Sequence, residues 1–568
     1  MKKKWFALLL AAAMVLSLCA CGGESASSAA SAERAAETEA QTSEAPEASE
    51  APAAPETETS AEEPVASVEE TAAAEVPPTD LPLSDGSETF EVWMGISPAA
   101  MNYISTLADN ATYKELMART GVNLSFIHFH PDTQAEQFNL IMASGEYPDV
   151  MNGVVNQYTG GADKGIEDEV FIDLNDYLEE FAPHYYNIIH SDPELYDAVT
   201  TPEGAVAGFY SVYEEPRLND MGYIIRQDWL DDLSMEKPTT MDELYDVLTA
   251  FKDEKGASDP LFVKSSGVTD YFLAAYGVAE GMYLDGDTIK YGPLEEGYKE
   301  YLQTMAQWYS EDLLYHDFPF YGEQFAFRDP GMVGAGQVAC FFSETGDMAM
   351  FGDFSDDPDI RFTAMAPVSL EKDGTVYVSD MAPSRADDVR WAVTTGCENP
   401  ELLISFVDYL YSEEGALLCN YGIEGETFEY DEDGVPHFTD LIYNNPTYDY
   451  RTAVFIYVMD AGPTVVDPMR GTGTYTQEQL DSWSDWTDAN MDYSHVIPPK
   501  VVLMAEDTEY NNLISDIETF LDEMTVKYIT GEYSFDNYET DFVEALKGMD
   551  AERCIELYQA AYDEYKAA

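Results

Sequence analysis

From residue 89 onward the chain alternates short apolar runs with longer amphipathic stretches. Residues 89–94, T-F-E-V-W-M, change polarity with a period near two, which predicts a strand ended by Gly95 and Pro98. Tyr113, Leu116 and Met117 share one face of a predicted helix, and Gly121 supplies its stop. Val122, Leu124 and Phe126 line one side of a second strand. Thr133 and Glu136 have the spacing of a capping box before a helix carrying Phe138, Ile141 and Met142. S-G-E-Y-P-D-V at 144–150 then turns into a third strand. This strand-helix-strand-helix-strand order predicts a parallel sheet with helices on both faces.

The pattern resumes at 223–251. Tyr223, Ile224 and Ile225 predict a strand, and Asp228 is placed to cap a short helix with Trp229, Leu230 and Leu233. Pro238 breaks it, and Thr240 with Glu243 forms a second capping-box spacing. Met241, Leu244, Val247, Leu248 and Phe251 follow on one helical face. Residues 283–291 predict a hairpin about Asp285-Gly286. A helix with Tyr298, Tyr301, Leu302, Met305 and Trp308 comes next, then a small-residue turn and strand at 334–342. Its Gly-x-Gly lacks the full dinucleotide-binding spacing. Residues 362–368 are expected to cross between halves of the molecule, and 391–395 to return as a strand. Asn399 and Pro400 open a helix with Leu403, Phe406, Val407 and Leu410 inside. Two late stripes, Ile514/Ile517/Leu521/Met524/Tyr528 and Ile555/Tyr558/Tyr562, read as core.

Ahead of all this stands a different kind of sequence. Lys2, Lys3 and Lys4 precede an apolar run at 5–18, too short for a membrane span and suited to a secretory signal. Leu18, Ala20 and Cys21, followed by Gly22 and Gly23, match a bacterial lipobox, with Cys21 the acceptor of lipid. Lipoprotein modification supplies the more than one acyl chain that stable anchoring needs. Residues 22–82 are mainly Ser, Ala, Glu, Pro and Thr, which cannot bury enough surface to offset ordering entropy. Such a tether spans on the order of 40 Å.

At 568 residues the chain exceeds a single core. Its 27 Lys+Arg against 109 Asp+Glu give a formal charge of -82, which rules against nucleic acid. With 39 Tyr and 7 Trp, neutral hydroxylated ligands suit it: rings cover C–H faces and carboxylates accept hydroxyl hydrogen bonds. Tyrosine-rich cores are the competing account. Cys340, Cys397, Cys419 and Cys554 are widely spaced, specify no pairing and no metal knuckle, and are expected as buried free thiols. His128 and His130 share a strand face without a third ligand nearby. The run Glu429, Asp431, Asp433, Gly434 and Asp440 departs from a calcium loop at both ends, and a strand-turn-strand explains it more simply. No cofactor and no metal are expected.

Several segments resemble the extracellular solute-binding proteins of bacterial ABC importers, in particular the large sugar-binding lipoproteins (family 1). These are R-x-D-W-L with P-T-T-x-D-E-L at 226–244, A-S-G-E-Y-P-D-V at 143–150, W-A-V-T-T-x-C-x-N-P-E-L at 391–402 and S-E-E-G-A-L-L at 412–418, continuing through Phe428. The resemblance spans most of residues 89–565. It implies an α/β, two-lobed periplasmic-binding-protein-like fold (type II), with a hinge and an interlobe ligand cleft. The expected layout is a signal peptide at 1–20, a disordered acidic linker at 21–85, lobe one at 86–210, lobe two at 211–365, a return to lobe one at 366–412, and a helical part at 413–568 mostly in lobe two.

Ligands of open α/β sheets sit beyond the carboxyl ends of strands, which selects Trp93 and Asn152. His128 is a further hydrogen-bonding candidate, and the resemblance adds Trp229, Glu344, Trp391 and Glu424. For Trp93 a core position is the alternative, and for Glu424 a structural role at a turn. The implied function is a monomeric, lipid-anchored, extracellular receptor that gives a carbohydrate, expected to be an oligosaccharide, to an ABC permease. It is not expected to be an enzyme: no nucleophile elbow, H-E-x-x-H or complete metal set is present. A secreted glycan-active enzyme and a peptide-binding receptor of the same fold are the alternatives.

Overall fold

Thr89–Gly95 forms the first strand (β1), and its alternation sorts side chains between two cores. Phe90, Val92 and Met94 enter one, and Trp93 enters the other. The computed structural model describes residues 79–567 except 131–132, 218, 322–326, 328, 354, 356, 380–381, 460–461, 488–489, 502 and 504–507. The signal segment, Cys21 and nearly all of the linker lie outside the described residues.

Lobe one is built on a five-stranded sheet. Asn123–Phe129 (β2) and Val150–Asn152 (β3) run parallel to β1 on either side. Phe209–Val212 (β4) is the far edge. The predicted parallel order therefore holds for its first three strands. Helix Ala111–Thr120 ends where expected, with Gly121 in the left-handed region at φ 68°. Thr133 precedes helix Gln134–Ser144 but makes no side-chain cap; its hydroxyl instead accepts from Gln137 Nε2 at 2.8 Å.

Lobe two begins with Met221–Arg226 (β5). Helix Met241–Lys255 buries the predicted face and is capped by Thr240, whose hydroxyl accepts from Glu243 N at 3.1 Å. The Glu243 carboxylate reaches the amide of Thr239, at 2.8 Å, one residue earlier than a capping box. Met282–Asp285 (β6) and Thr288–Tyr291 (β7) make the predicted hairpin. Cys340–Glu344 (β8) and Phe362–Met365 (β9) flank β5, both antiparallel to it. Helices Glu296–Ser310 and Thr508–Ile529 pack together under this lobe, and both predicted stripes enter its core.

Residues 362–368 are not a crossing. β9 is an edge strand of the lobe-two sheet, paired with β5, and Ser369 stays in that lobe, donating its amide to Thr239 O at 3.1 Å. Val376–Tyr377 (β10) continues in lobe two. The chain returns to lobe one through Ala386–Val393 (β11), which runs antiparallel between β3 and β4. A strand that arrives from the other lobe need not share the direction of the strands it joins. Residues 413–465 also remain with lobe one: Leu418, Cys419 and Met459 sit in its core, and Asn110 Nδ2 donates to Val458 O at 2.9 Å. They include the hairpin Phe428–Tyr430 (β12) and Pro436–Phe438 (β13). Helix Gln477–Trp486 and Met491–Asp492 (β14, paired with β10) then rejoin lobe two.

Among the described residues, three segments thus link the lobes. The first two lie side by side, with Tyr213 N donating to Arg385 O at 2.8 Å and Arg217 N to Ser384 O at 3.0 Å. The third starts beside β4, where Val466 N donates to Val212 O at 2.8 Å. Among the described residues no helix is long and apolar enough to cross a membrane.

Candidate functional site

β4 and β11 lead to the hinge at the same end of the lobe-one sheet, and β5 leaves it with Met221. At this junction lies a cavity of about 510 Å³, within the usual range for small-molecule sites. Its walls come mostly from lobe two, with the hinge residues Arg217, Asp220, Ala386 and Asp387 closing it toward lobe one. Tyr223, Phe262 and Trp486 form a buried base. Tyr271, Phe342 and Tyr493, each half-buried, present ring surface.

The base depends on a missing side chain. A Cβ at Gly222 would stand 2.4 Å from the Trp486 indole nitrogen, so glycine in β5 lets that ring lie against the strand. The indole N–H donates to Tyr223 O at 3.1 Å. Tyr223 and Tyr271 rings are 5.0 Å apart, and Tyr271 meets Phe342 edge-on at 6.2 Å. Tyr271 also donates its hydroxyl to Met365 O, which fixes its ring. Burial raises the Tyr223 and Tyr271 hydroxyls well above the usual phenol range, so both remain neutral donors.

The polar wall is a charged network at the hinge. Arg217 Nη2 donates to both Asp220 oxygens, at 3.2 and 3.1 Å, and Nη1 lies 3.5 Å from Asp387. Asp387 also accepts from Arg390 at 2.8 Å and from Tyr213 Oη at 3.0 Å. Burial, then the Asp387 charge, pushes Tyr213 up to about 12. Opposite, Lys264 contacts Glu280 at 2.6 Å, and Asp270 accepts from Glu280 N at 2.8 Å. Rings, carboxylates and hydroxyls around one space suit a ligand with both C–H and O–H faces.

None of the seven side chains singled out from the sequence lines this cavity. Trp93 is 1% exposed, packed against Phe129 and Phe138, and Trp391 is 0% exposed beside Phe406; both are core residues. Trp229, 8% exposed, lies under the guanidinium of Arg226 at 4.3 Å. Asp228, expected as a cap, instead holds that buried Arg226 through bonds of 2.8 and 2.6 Å, supplying the partner a buried cation requires. His128 is structural in its contacts: Nε2 accepts from Leu107 N at 3.1 Å and Nδ1 faces Met94 O at 3.0 Å. Asn152 donates to Arg390 O at 2.7 Å, and Glu424 is exposed in a turn. Glu344 is paired in register with the lining residue Met221, but its carboxylate meets Arg451 at 3.1 Å. The missed residues Trp486 and Tyr493 lie in W-S-D-W-T-D-A-N-M-D-Y at 483–493, where mixed aromatic and carboxylate residues were the available signal.

The calcium-like run is the β12–β13 hairpin, with Asp431 accepting from the amides of Asp433 and Val435 at 2.9 Å each. Among the described residues no three His, Cys, Asp or Glu side chains gather as a metal site. Cys340, Cys397, Cys419 and Cys554 are free and buried; burial pushes Cys397 and Cys419 up to about 12, leaving them unreactive thiols.

Residues 111–419 match the family model of the bacterial extracellular solute-binding protein. The chain is 21% identical over 514 residues to the polygalacturonan/rhamnogalacturonan-binding protein YtcQ of Bacillus subtilis (strain 168), covering 86% of this chain and 95% of that one. It shares its fold with the FusA substrate-binding protein of S. pneumoniae solved with kestose, at TM-score 0.65 and 18% identity over 84% of this chain and all of that one. The alginate-binding protein AlgQ2, solved without calcium, has TM-score 0.63 and 21% identity over 85% of this chain and 99% of its own. With two lobes, three linking segments and a cavity at the hinge, the chain belongs to the bacterial extracellular solute-binding proteins.

Proposed function

We propose that this protein is a lipid-anchored receptor that captures an oligosaccharide in the hinge cavity and delivers it, unaltered, to an ABC permease. The observation that carries the reading is the cavity itself, lined by Tyr271, Phe342 and Tyr493 together with Asp220, Asp270, Ser379 and Asp387. Aromatic faces cover sugar C–H surfaces, and carboxylates orient hydroxyls. The names of relatives support the class: one binds galacturonans, and another, a fructooligosaccharide transporter's binding protein, is 28% identical over 187 residues, about a third of its length. The anchor is Cys21; the relative LipO, 27% identical over 60% of this chain, is itself called a lipoprotein.

Because lobe two and the hinge together border the cavity, a bound sugar favours the hinge arrangement that closes the space around it. A permease can then distinguish loaded from unloaded receptor. Titration calorimetry against a panel of oligosaccharides, followed by chromatography of the recovered sugar, tests this. One-to-one binding with intact sugar supports it; fragments of the sugar, or binding of peptides instead, oppose it.

A further inference from the structure

We infer that the hinge cavity selects neutral oligosaccharides and discriminates against those carrying uronic acids. The inference rests on the carbohydrate reading above and sharpens it. A uronate carboxylate in a partly desolvated cavity is best stabilised by an available cation, and Arg217 and Lys264 are the two cations among the described lining residues. Both are already neutralised: Arg217 by Asp220 at 3.1 Å with Asp387 at 3.5 Å, and Lys264 by Glu280 at 2.6 Å. The lining carries three carboxylates, Asp220, Asp270 and Asp387, against those two cations. An added carboxylate meets like charge in a partly desolvated space, where repulsion is strongest.

The chain as a whole works in the same direction. Its formal charge of -82 repels polyanions over a range set by salt. The same carboxylates are favourable acceptors for neutral hydroxyls, so one arrangement attracts one class and rejects the other. This would set the chain apart from its relative YtcQ, which is named for polygalacturonan and rhamnogalacturonan.

The test uses the full-length protein and matched tetrasaccharides of glucose, galactose and mannose, each beside its counterpart oxidised to the uronate at C6. Calorimetry at low salt is expected to give at least about tenfold weaker binding for every uronate than for its neutral partner, with the gap narrowing at higher ionic strength. Asp220→Asn removes one of the three lining carboxylates and leaves Arg217 only its 3.5 Å contact with Asp387, and is expected to narrow the gap by about tenfold. Uronate binding equal to or tighter than neutral binding in the parent overturns the inference alone. Failure of both series to bind overturns the carbohydrate reading and this inference with it.

Discussion

Arg451 Nη2 lies 3.1 Å from Glu344 Oε2, and the two residues belong to different lobes. Arg451 is on helix Tyr450–Tyr457, which packs on lobe one, and Glu344 ends β8 in lobe two. A second link joins Lys500 Nζ to Asp197 at 2.6 Å and to Thr200 at 3.0 Å. The Arg451–Glu344 pair is largely open to solvent and contributes about 0–1 kcal/mol. Interactions of this size can bias the arrangement of the lobes without fixing it.

Arg451→Ala is therefore expected to leave sugar affinity within roughly threefold and thermal stability within about 1 kcal/mol, while widening the interlobe distances of the free protein. Fluorescence energy transfer between dyes on the two lobes reads this. A large loss of affinity would place Glu344 or Arg451 in the binding site after all.

Two aromatic substitutions separate core from site. Trp93→Ala removes a ring packed on Phe129 and Phe138, at 4.4 and 6.4 Å, and is expected to cost about 3–5 kcal/mol of stability. The folded fraction should bind sugar as the parent does. Tyr493→Ala is expected to do the reverse, weakening binding about tenfold or more with little change in a urea melt.

The contrast shows where sequence reasoning runs out. Period-two and helical patterns located the first three strands of lobe one, the Thr240-capped helix and the stripe at 514–528, because those patterns report burial directly; of the stripe Ile555/Tyr558/Tyr562 only Tyr562 is fully buried. Burial is also what removed Trp93 and Trp391 from the site: a large ring at a strand position serves a core as well as a ligand, and periodicity does not tell them apart. Residues 413–465 have a clear apolar face, yet that face does not say which lobe covers it. Trp486 and Tyr493 reach the cavity only because a third segment carries the chain back to lobe two. The contact between Trp486 and Gly222 joins residues far apart in the chain, and no local motif marks it.

That contact is itself testable. Gly222→Ala places a methyl within 2.4 Å of the Trp486 indole, and β5 leaves little room to yield. The variant is expected to lose about 1–3 kcal/mol of stability, together with sugar affinity, as the cavity base shifts. Normal stability and affinity would mean the base is not set by this packing.

Two histidines give the stability a pH dependence. Burial lowers His128, against the opposing hydrogen bond to Met94 O, and lowers His495, against Asp285 and Asp492. With Leu107 N–H bonded to His128 Nε2, the proton resides on Nδ1, and protonating Nε2 breaks that contact. Both folded values lie below 6.5, so on acidification the unfolded chain takes up these protons first. Stability is expected to be fully present above pH 6.5 and to decline as pH falls toward the folded values. His128→Gln should flatten part of that decline in urea melts across this range. An unchanged slope would show that His128 takes up its proton equally well folded.

The most direct measurement is a crystal structure of the protein with the tightest-binding oligosaccharide found by calorimetry. The account predicts the sugar in the hinge cavity, stacked on Tyr271, Phe342 or Tyr493 and hydrogen-bonded to Asp220, Asp270 or Asp387, with both lobes drawn to it. A sugar bound elsewhere, or in contact with one lobe and clear of the hinge, would contradict it.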